Sequence, residues 1–264
     1  MVMLRGKMIQ SVKDAVRNTG LYKNYQRIRL IESLKKWTPQ DEEMLRLYSQ
    51  FIPARALCFD VGANIGNRVK IFLGLDADVI AIEPQTECTE ILSKVFGKNR
   101  HLRVIQTALG DREGEAEIMI SDSSTISSMS PEWNNAVKNS GRFTDFVWDQ
   151  VQKVPLTTLD KLIDQYGTPA FIKIDVEGFE YQVLRGLTRP VSVLSLEYVP
   201  EVIESTYKCI DYLQHLGKIE LNYTINENMQ FVLEKWTNPD EMKRLLSNLS
   251  DKVDLFGDVY IKFV

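Results

Sequence analysis

Lys173, Asp175 and Glu177 alternate with Ile174 and Val176 and run into Gly178. A period of two puts the three on one face of an extended segment, so an ammonium and two carboxylates would stand together where a strand stops. Such a trio can bind a cation, pair internally, or hold a hydroxyl and take its proton. Other carboxylates close other apolar runs: Asp60 in Leu57-Cys58-Phe59-Asp60-Val61, Glu83 after Ile80-Ala81-Ile82, and Glu197 in Leu194-Ser195-Leu196-Glu197-Tyr198. Asp60 is followed by Val61-Gly62-Ala63-Asn64-Ile65-Gly66, a glycine turn ahead of helical sequence. There Gly62 would let the backbone approach a ligand closely, Gly66 would let helix and strand pack, and the helix N-terminus would offer free N–H groups. These features describe a cradle for a nucleoside-containing cofactor.

The carboxylates act together only if a scaffold brings several strand ends to one edge. Strands are expected at 56–61, 78–82, 103–108, 170–175 and 191–197, with helices at 67–73, 86–96, 159–166 and 181–185 between most of them. This alternation predicts a parallel sheet covered on both faces, with ligands at the C-terminal edge. The tail departs from it: 220–226 and 230–236 read as a hairpin turning at Glu227-Asn228-Met229, and 258–263 as a last strand. Between Gly114 and Pro155 a strand at 115–120 precedes the polar run Ser121 to Ser128 and the aromatic residues Trp133, Phe143, Phe146 and Trp148. Aromatic faces beside hydroxyls suit a polyol; a lid packed on its own side chains fits the same pattern.

Composition sets the outer bounds. The 264 residues fit one large α/β domain or one domain with an appendage, and 44% hydrophobic and 26% charged residues with net charge −4 are ordinary for a globular protein. No apolar run approaches the ~20 residues needed to span a bilayer, and the N-terminus lacks a secretory pattern, so a cytoplasmic location is expected. Cys58, Cys88 and Cys209 show no CxxC or histidine partner and read as buried inert thiols. From Met1 to Trp37, nine Lys or Arg face only Asp14 and Glu32, with apolar residues at helical spacing. One or two basic amphipathic helices are expected there, serving as a cap on the core, as a surface for an anionic partner, or as a membrane-surface contact. A nucleic-acid partner is not expected, because the chain is acidic overall and has no basic motif interleaved with aromatic residues.

Four pieces in order resemble the FkbM-type methyltransferases, a branch of the class I S-adenosylmethionine (SAM)-dependent enzymes: Phe59-Asp60-Val61-Gly62-Ala63-Asn64-Ile65-Gly66, Ala81-Ile82-Glu83-Pro84, Ala108-Leu109-Gly110-Asp111, and Ile172-Lys173-Ile174-Asp175-Val176-Glu177-Gly178-Phe179-Glu180. The resemblance runs from about Phe51 to the C-terminus. It implies a Rossmann-like α/β fold, a seven-stranded sheet with its last strand antiparallel, behind a helical extension at 1–50; the methyltransferase domain would be 51–264. It also implies that the Asp60 to Gly66 turn holds the methionyl end of SAM. Asp60 would receive the ammonium, and N–H groups around Gly62 and Asn64 the carboxylate. Glu83 stands where a carboxylate accepts from ribose hydroxyls, or alternatively partners a helix N-cap. By resemblance Ala108 and Leu109 lie beside adenine. A dinucleotide fold would want glycine where Asn64 stands, because pyrophosphate needs backbone at close range.

The activity implied is methyl transfer to a hydroxyl on a sugar, glycolipid or polyketide-like small molecule, with Asp175 near the methyl donor, Glu177 orienting or deprotonating the acceptor, and Lys173 balancing their charge. The family often carries His after the glutamate at 197, where this chain has Tyr198, which weakens any transferred claim of a histidine base. Carboxylates at Asp175, Glu177 and Glu197 do not by themselves distinguish a metal from an ammonium or hydroxyl partner, and no metal is assigned. A catalytically silent SAM-binding scaffold and a nicotinamide-dependent oxidoreductase are the competing readings. The sequence does not assign an oligomeric state.

Overall fold

The computed structural model describes residues 20–121, 127–139, 148–249 and 255–264. Residues 1–38 and 39–264 form two compact units. The first contains helix α1 (Gly20–Lys35), with Tyr25 and Ile28 exposed. The remainder of the basic segment expected to be helical, up to residue 19, lies outside the described residues.

The second unit begins earlier than position 51, because helix α2 (Pro39–Tyr48) belongs to it. Met44, Leu47 and Tyr48 of α2 are buried in one core with Phe72 and Phe171, and the Tyr48 ring meets Phe72 edge-on at 5.0 Å. Burying aromatic rings and branched side chains is the main force that holds such a helix in place.

Strands β1 (Leu57–Val61), β2 (Asp78–Ile82) and β3 (Leu102–Ile105) alternate with helices α3 (Asn67–Gly74) and α4 (Thr86–Phe96). After these come β4 (Ala108–Leu109), β5 (Gly114–Ser121), α5 (Pro131–Asn139), β6 (Trp148–Thr157), α6 (Leu159–Tyr166), β7 (Phe171–Ile174) and α7 (Glu180–Arg185). Strand β8 (Val193–Tyr198), α8 (Ile203–Leu216), β9 (Ile219–Tyr223), α9 (Pro239–Ser247) and β10 (Gly257–Phe263) complete the chain. The main sheet has the order β3-β2-β1-β7-β8-β10-β9; β10 runs antiparallel to both its neighbours, and the other pairs are parallel. This is the expected seven-stranded sheet with an antiparallel final strand.

Alternation along each strand divides the core in two. Phe59, Ile80, Ile172, Leu194 and Val259 point to one face and pack with α6 to α9, through residues such as Leu162, Val183, Ile210 and Met242. Cys58, Val79, Phe171 and Tyr260 point to the other, against α2 and α3. Cys58, Cys88 and Cys209 are buried and form no disulfide.

Three elements differ from the sequence reading. The run 103–108 is split: Leu102–Ile105 joins the main sheet, whereas Ala108–Leu109 pairs with β6 in a second sheet ordered β4-β6-β5. Residues 230–236 form no strand. Asn222 on β9 instead uses its side chain toward this segment, donating from Nδ2 to the Leu233 carbonyl at 2.9 Å and accepting from the Leu233 N–H at 3.2 Å, so an amide side chain takes the place of a ladder. Finally, β7 stops at Ile174, so Asp175 and Glu177 lie in the loop after the strand. Among the described residues no helix is long and apolar enough to cross a membrane.

Candidate functional site

The C-terminal ends of β1, β2, β7 and β8 surround a cleft of about 250 Å³. Asp60, Gly62 and Asn64 from the turn, Glu83 after β2, Ala108 and Leu109 of β4, and the carboxylates Asp175, Glu177 and Glu197 all line it. The crossover topology accounts for this convergence, since every parallel strand must finish at the same edge. Gly66 and Lys173 do not line the cleft.

Each glycine has a particular neighbour. Gly62 has φ +80° and presses on the loop after β7, where a Cβ would come within 1.7 Å of the Asp175 carbonyl oxygen. Its role in the structure is thus to let two chain segments touch. Gly66, with φ +99°, sits against Leu92 and Phe96, so it lets the start of α3 pack on helix α4, where the sequence suggested a strand. Gly178 (φ +83°) abuts the Trp133 ring. Trp133 is 1% exposed and serves as core, which removes it as a platform for a sugar. Phe143 and Phe146 lie outside the described residues, as do residues 122–126 of the serine run, while Ser127 and Ser128 line the cleft.

The backbone of the glycine turn is fully engaged. The N–H groups of Gly62 and Ala63 donate to the Ile82 carbonyl, that of Asn64 to Glu83 Oε2 at 2.8 Å, and that of Ile65 to Asn64 Oδ1 at 2.7 Å. Asn64 adopts φ +48°, a left-handed conformation that asparagine tolerates well, and turns its side chain back on its own backbone. The N–H groups expected to receive a carboxylate are therefore committed within the protein. Two residues the sequence reading did not name offer another partner: Asn67 and Arg68, in the first turn of α3, line the cleft beside the turn.

Glu83 is buried and fixed from both sides, because Oε1 accepts from the Gln85 N–H at 2.8 Å as Oε2 does from Asn64. Burial raises its pKa to about 7 against the pull of those bonds. The Gln85 side chain bonds to the same carboxylate, which leaves it about one acceptor site to offer a ligand. Asp60 is buried as well, and its Oδ2 has no hydrogen-bond partner among the described residues. Burial raises Asp60 to about 7, while Lys173 and Arg68 act in the opposite direction.

Lys173 is 1% exposed and binds Asp258 Oδ1 at 2.7 Å and Asp175 Oδ2 at 3.2 Å. Burial opposes its charge, but the two carboxylates outweigh burial and hold the ammonium well above its ordinary value. Asp258 could not be found from the sequence, because its place beside Lys173 comes from β10 inserting between β8 and β9. One polar rung crosses the sheet here: Asp60, Lys173, Ser195, Tyr260 and Asn222 are register partners on successive strands, all buried. In the loop, Glu177 has φ +53°, and its carbonyl accepts from Ser128 Oγ at 2.5 Å. The carboxylates of Asp175, Glu177 and Glu197 have oxygens within 4.8 Å of one another.

These residues fit the cofactor implied by the resemblance. A buried carboxylate oxygen without a partner suits an ammonium, a fixed carboxylate with remaining acceptor capacity suits a ribose hydroxyl, and Ala108 and Leu109 line the cleft with apolar surface.

Solved structures similar to the chain share about a tenth of its sequence. They include precorrin-6y C5,15-methyltransferase from Geobacter metallireducens GS-15 (TM-score 0.46, 11% identity, 87% of this chain and 92% of that one). A TehB-like SAM-dependent methyltransferase from Corynebacterium glutamicum matches with TM-score 0.43 and 10% identity, over 91% of this chain and 97% of that one. SMU.1697c from Streptococcus mutans, in complex with SAH, matches with TM-score 0.42 and 10% identity, over 87% of this chain and all of that one (100%). No curated protein matches by sequence. The model of the methyltransferase FkbM domain matches residues 60–246, from Asp60 through Glu83 and the Asp175 to Glu180 run, and the chain therefore belongs to the FkbM methyltransferase family.

Proposed function

We propose that this methyltransferase acts on a hydroxyl of a small molecule of the sugar, glycolipid or polyketide-like class. The observation that carries the reading is the group of three carboxylates, Asp175, Glu177 and Glu197, brought together in the lining of the cleft. An alcohol is too weak a nucleophile to take a methyl unless its proton is removed, and a carboxylate in a half-buried site is suited to that step. S-adenosylmethionine is the family's cofactor and supplies an electrophilic methyl when bound.

In this reading Asp60 binds the cofactor's ammonium through the unpartnered Oδ2, and Glu83 accepts from its ribose. Arg68 and Asn67, in place of the engaged N–H groups of the turn, face its carboxylate. Ala108 and Leu109 pack on the base. Lys173 holds Asp175 in place by a buried ion pair, and Glu177, pinned through its carbonyl by Ser128, orients the acceptor hydroxyl.

The test is incubation of the protein with isotope-labelled SAM and cell extract, followed by mass spectrometry of the labelled products. Label on oxygen of a carbohydrate or polyol supports the reading, and label on nitrogen or carbon overturns it. A scaffold without activity would bind SAM and label nothing. Thermal stabilisation by NAD but not by SAM would favour the oxidoreductase alternative, which no feature of the cleft supports.

A further inference from the structure

Glu197 stands apart from the other two carboxylates of the group. It is half-buried near the end of β8 and lines both the main cleft and a water-sized cavity of about 20 Å³ beside it. On the β7 side it faces Lys173, Asp175, Glu177 and, from α7, Glu180. On the other side Asp258 is its register partner on β10, and Arg68 and Glu227 share the small cavity. Neither cation here is paired with Glu197: Lys173 binds Asp175 and Asp258, and Arg68 binds Glu227 at 3.2 Å through Nη2 while its Nε keeps no hydrogen-bond partner among the described residues. Among the described residues Glu197 has no ion-pair partner.

We propose that Glu197 takes the acceptor's hydroxyl proton, and that it becomes a free carboxylate only when a sulfonium occupies the cleft. This rests on the methyl-transfer reading above. Three carboxylates whose oxygens lie within 4.8 Å of one another repel one another strongly when all are ionised, and Lys173 already serves Asp175. Without a ligand the group therefore keeps a proton, and Glu197 is where it resides: burial first, then the charges of Asp175 and Glu177, push this carboxyl well above its ordinary range. A fixed positive charge entering the cleft offsets that repulsion and releases the proton to solvent.

The step then balances. The acceptor oxygen bonds to the methyl carbon, the carbon–sulfur bond breaks with its electron pair going to sulfur, and the hydroxyl proton passes to Glu197. The product thioether is neutral, so the protonated Glu197 left behind is the form favoured beside it. Each new sulfonium regenerates the base.

SAM and S-adenosylhomocysteine both carry the ammonium that Asp60 would meet, and only SAM carries the sulfonium, so comparing the two isolates Glu197. We expect calorimetric titration of the full chain at neutral pH, in buffers of different ionisation enthalpy, to show greater proton release with SAM than with S-adenosylhomocysteine, the difference approaching a single proton. In infrared difference spectra, SAM minus S-adenosylhomocysteine, a protonated-carboxyl band should be lost in the wild type, and a weaker loss should be seen in Glu177→Gln, which lacks one of the charges that keep the proton on Glu197. That band should be missing from the difference in Glu197→Gln. Equal proton release by the two ligands in the wild type overturns the proposal without any variant, as does persistence of the band in Glu197→Gln. Binding of both ligands with equal release defeats the role of Glu197 alone, whereas failure of either to bind defeats the methyl-transfer reading and this inference with it.

Discussion

Gly62 and Asp175 are in steric contact: a Cβ on Gly62 would lie 1.7 Å from the Asp175 carbonyl oxygen, and Gly62 holds φ +80°. The glycine turn after β1 and the loop after β7 are thus one mechanical unit. Gly62→Ala should force them apart, at a cost of at least ~1–3 kcal/mol for the backbone strain alone. Urea denaturation would show a lower midpoint, and SAM affinity should fall with it. A variant with wild-type stability would mean that the loop moves away freely.

Asp60→Asn separates binding from stability. The substitution removes a buried carboxyl with no partner for Oδ2, so the unliganded protein should be as stable as the wild type or slightly more stable at pH 8. SAM binding should weaken by ~10- to 100-fold, since a charge-assisted bond to the ammonium is worth roughly 1.5–3 kcal/mol. Calorimetry checks the second effect and thermal melting the first.

Lys173→Met tests the buried ion network. It would leave Asp175 and Asp258 without their shared cation, and breaking a buried pair costs ~3–5 kcal/mol. Adding Asp258→Asn to the same chain should recover part of the loss. A double-mutant cycle with no coupling between the two sites would contradict the network.

Stability should fall as pH rises. Asp60, Glu83 and Glu180 are each raised by burial to about 7, from ordinary values of 3.8, 4.5 and 4.5. Between those limits the folded chain binds more protons than the unfolded one, so stability declines with increasing pH across this window and levels off above it. Lys173, raised in the folded state, contributes stability throughout this range and loses it only at far higher pH. The unliganded protein should therefore melt at a higher temperature near pH 5 than near pH 8, with a shallower slope in Asp60→Asn. A melting temperature that climbs over this interval would show that these carboxyls are ionised in the folded state.

Much of this molecule could be read from the order of its residues, where local signals and tertiary placement agree. Helices Thr86–Phe96 and Leu159–Tyr166 and strand Asp78–Ile82 fall where periodicity puts them. The glycine turn and the Asp175 loop meet because the topology of parallel strands leaves no alternative. What escaped is what depends on distant partners. Asp258 reaches Lys173 only through an inserted antiparallel strand, Asn222 supplies with a side chain what a hairpin would supply with backbone, and Trp133 fits a sugar platform and a self-packed lid equally until Gly178 is seen to receive it. Nor could the sequence show that Glu83 and Asn64 satisfy each other, a bond that leaves the turn with no N–H to spare.

The amide of Asn222 has a consequence for how the protein meets copies of itself. Strand β9 ends the sheet on one side, and such a margin, with its backbone groups unsatisfied, invites another chain to add a strand. Here the Asn222 side chain grips Leu233, Val232 donates to the Tyr223 carbonyl, and Leu221 exchanges both bonds with Thr237. An irregular segment thereby seals this border of the sheet against association by strand addition and leaves β3 as the opposite border.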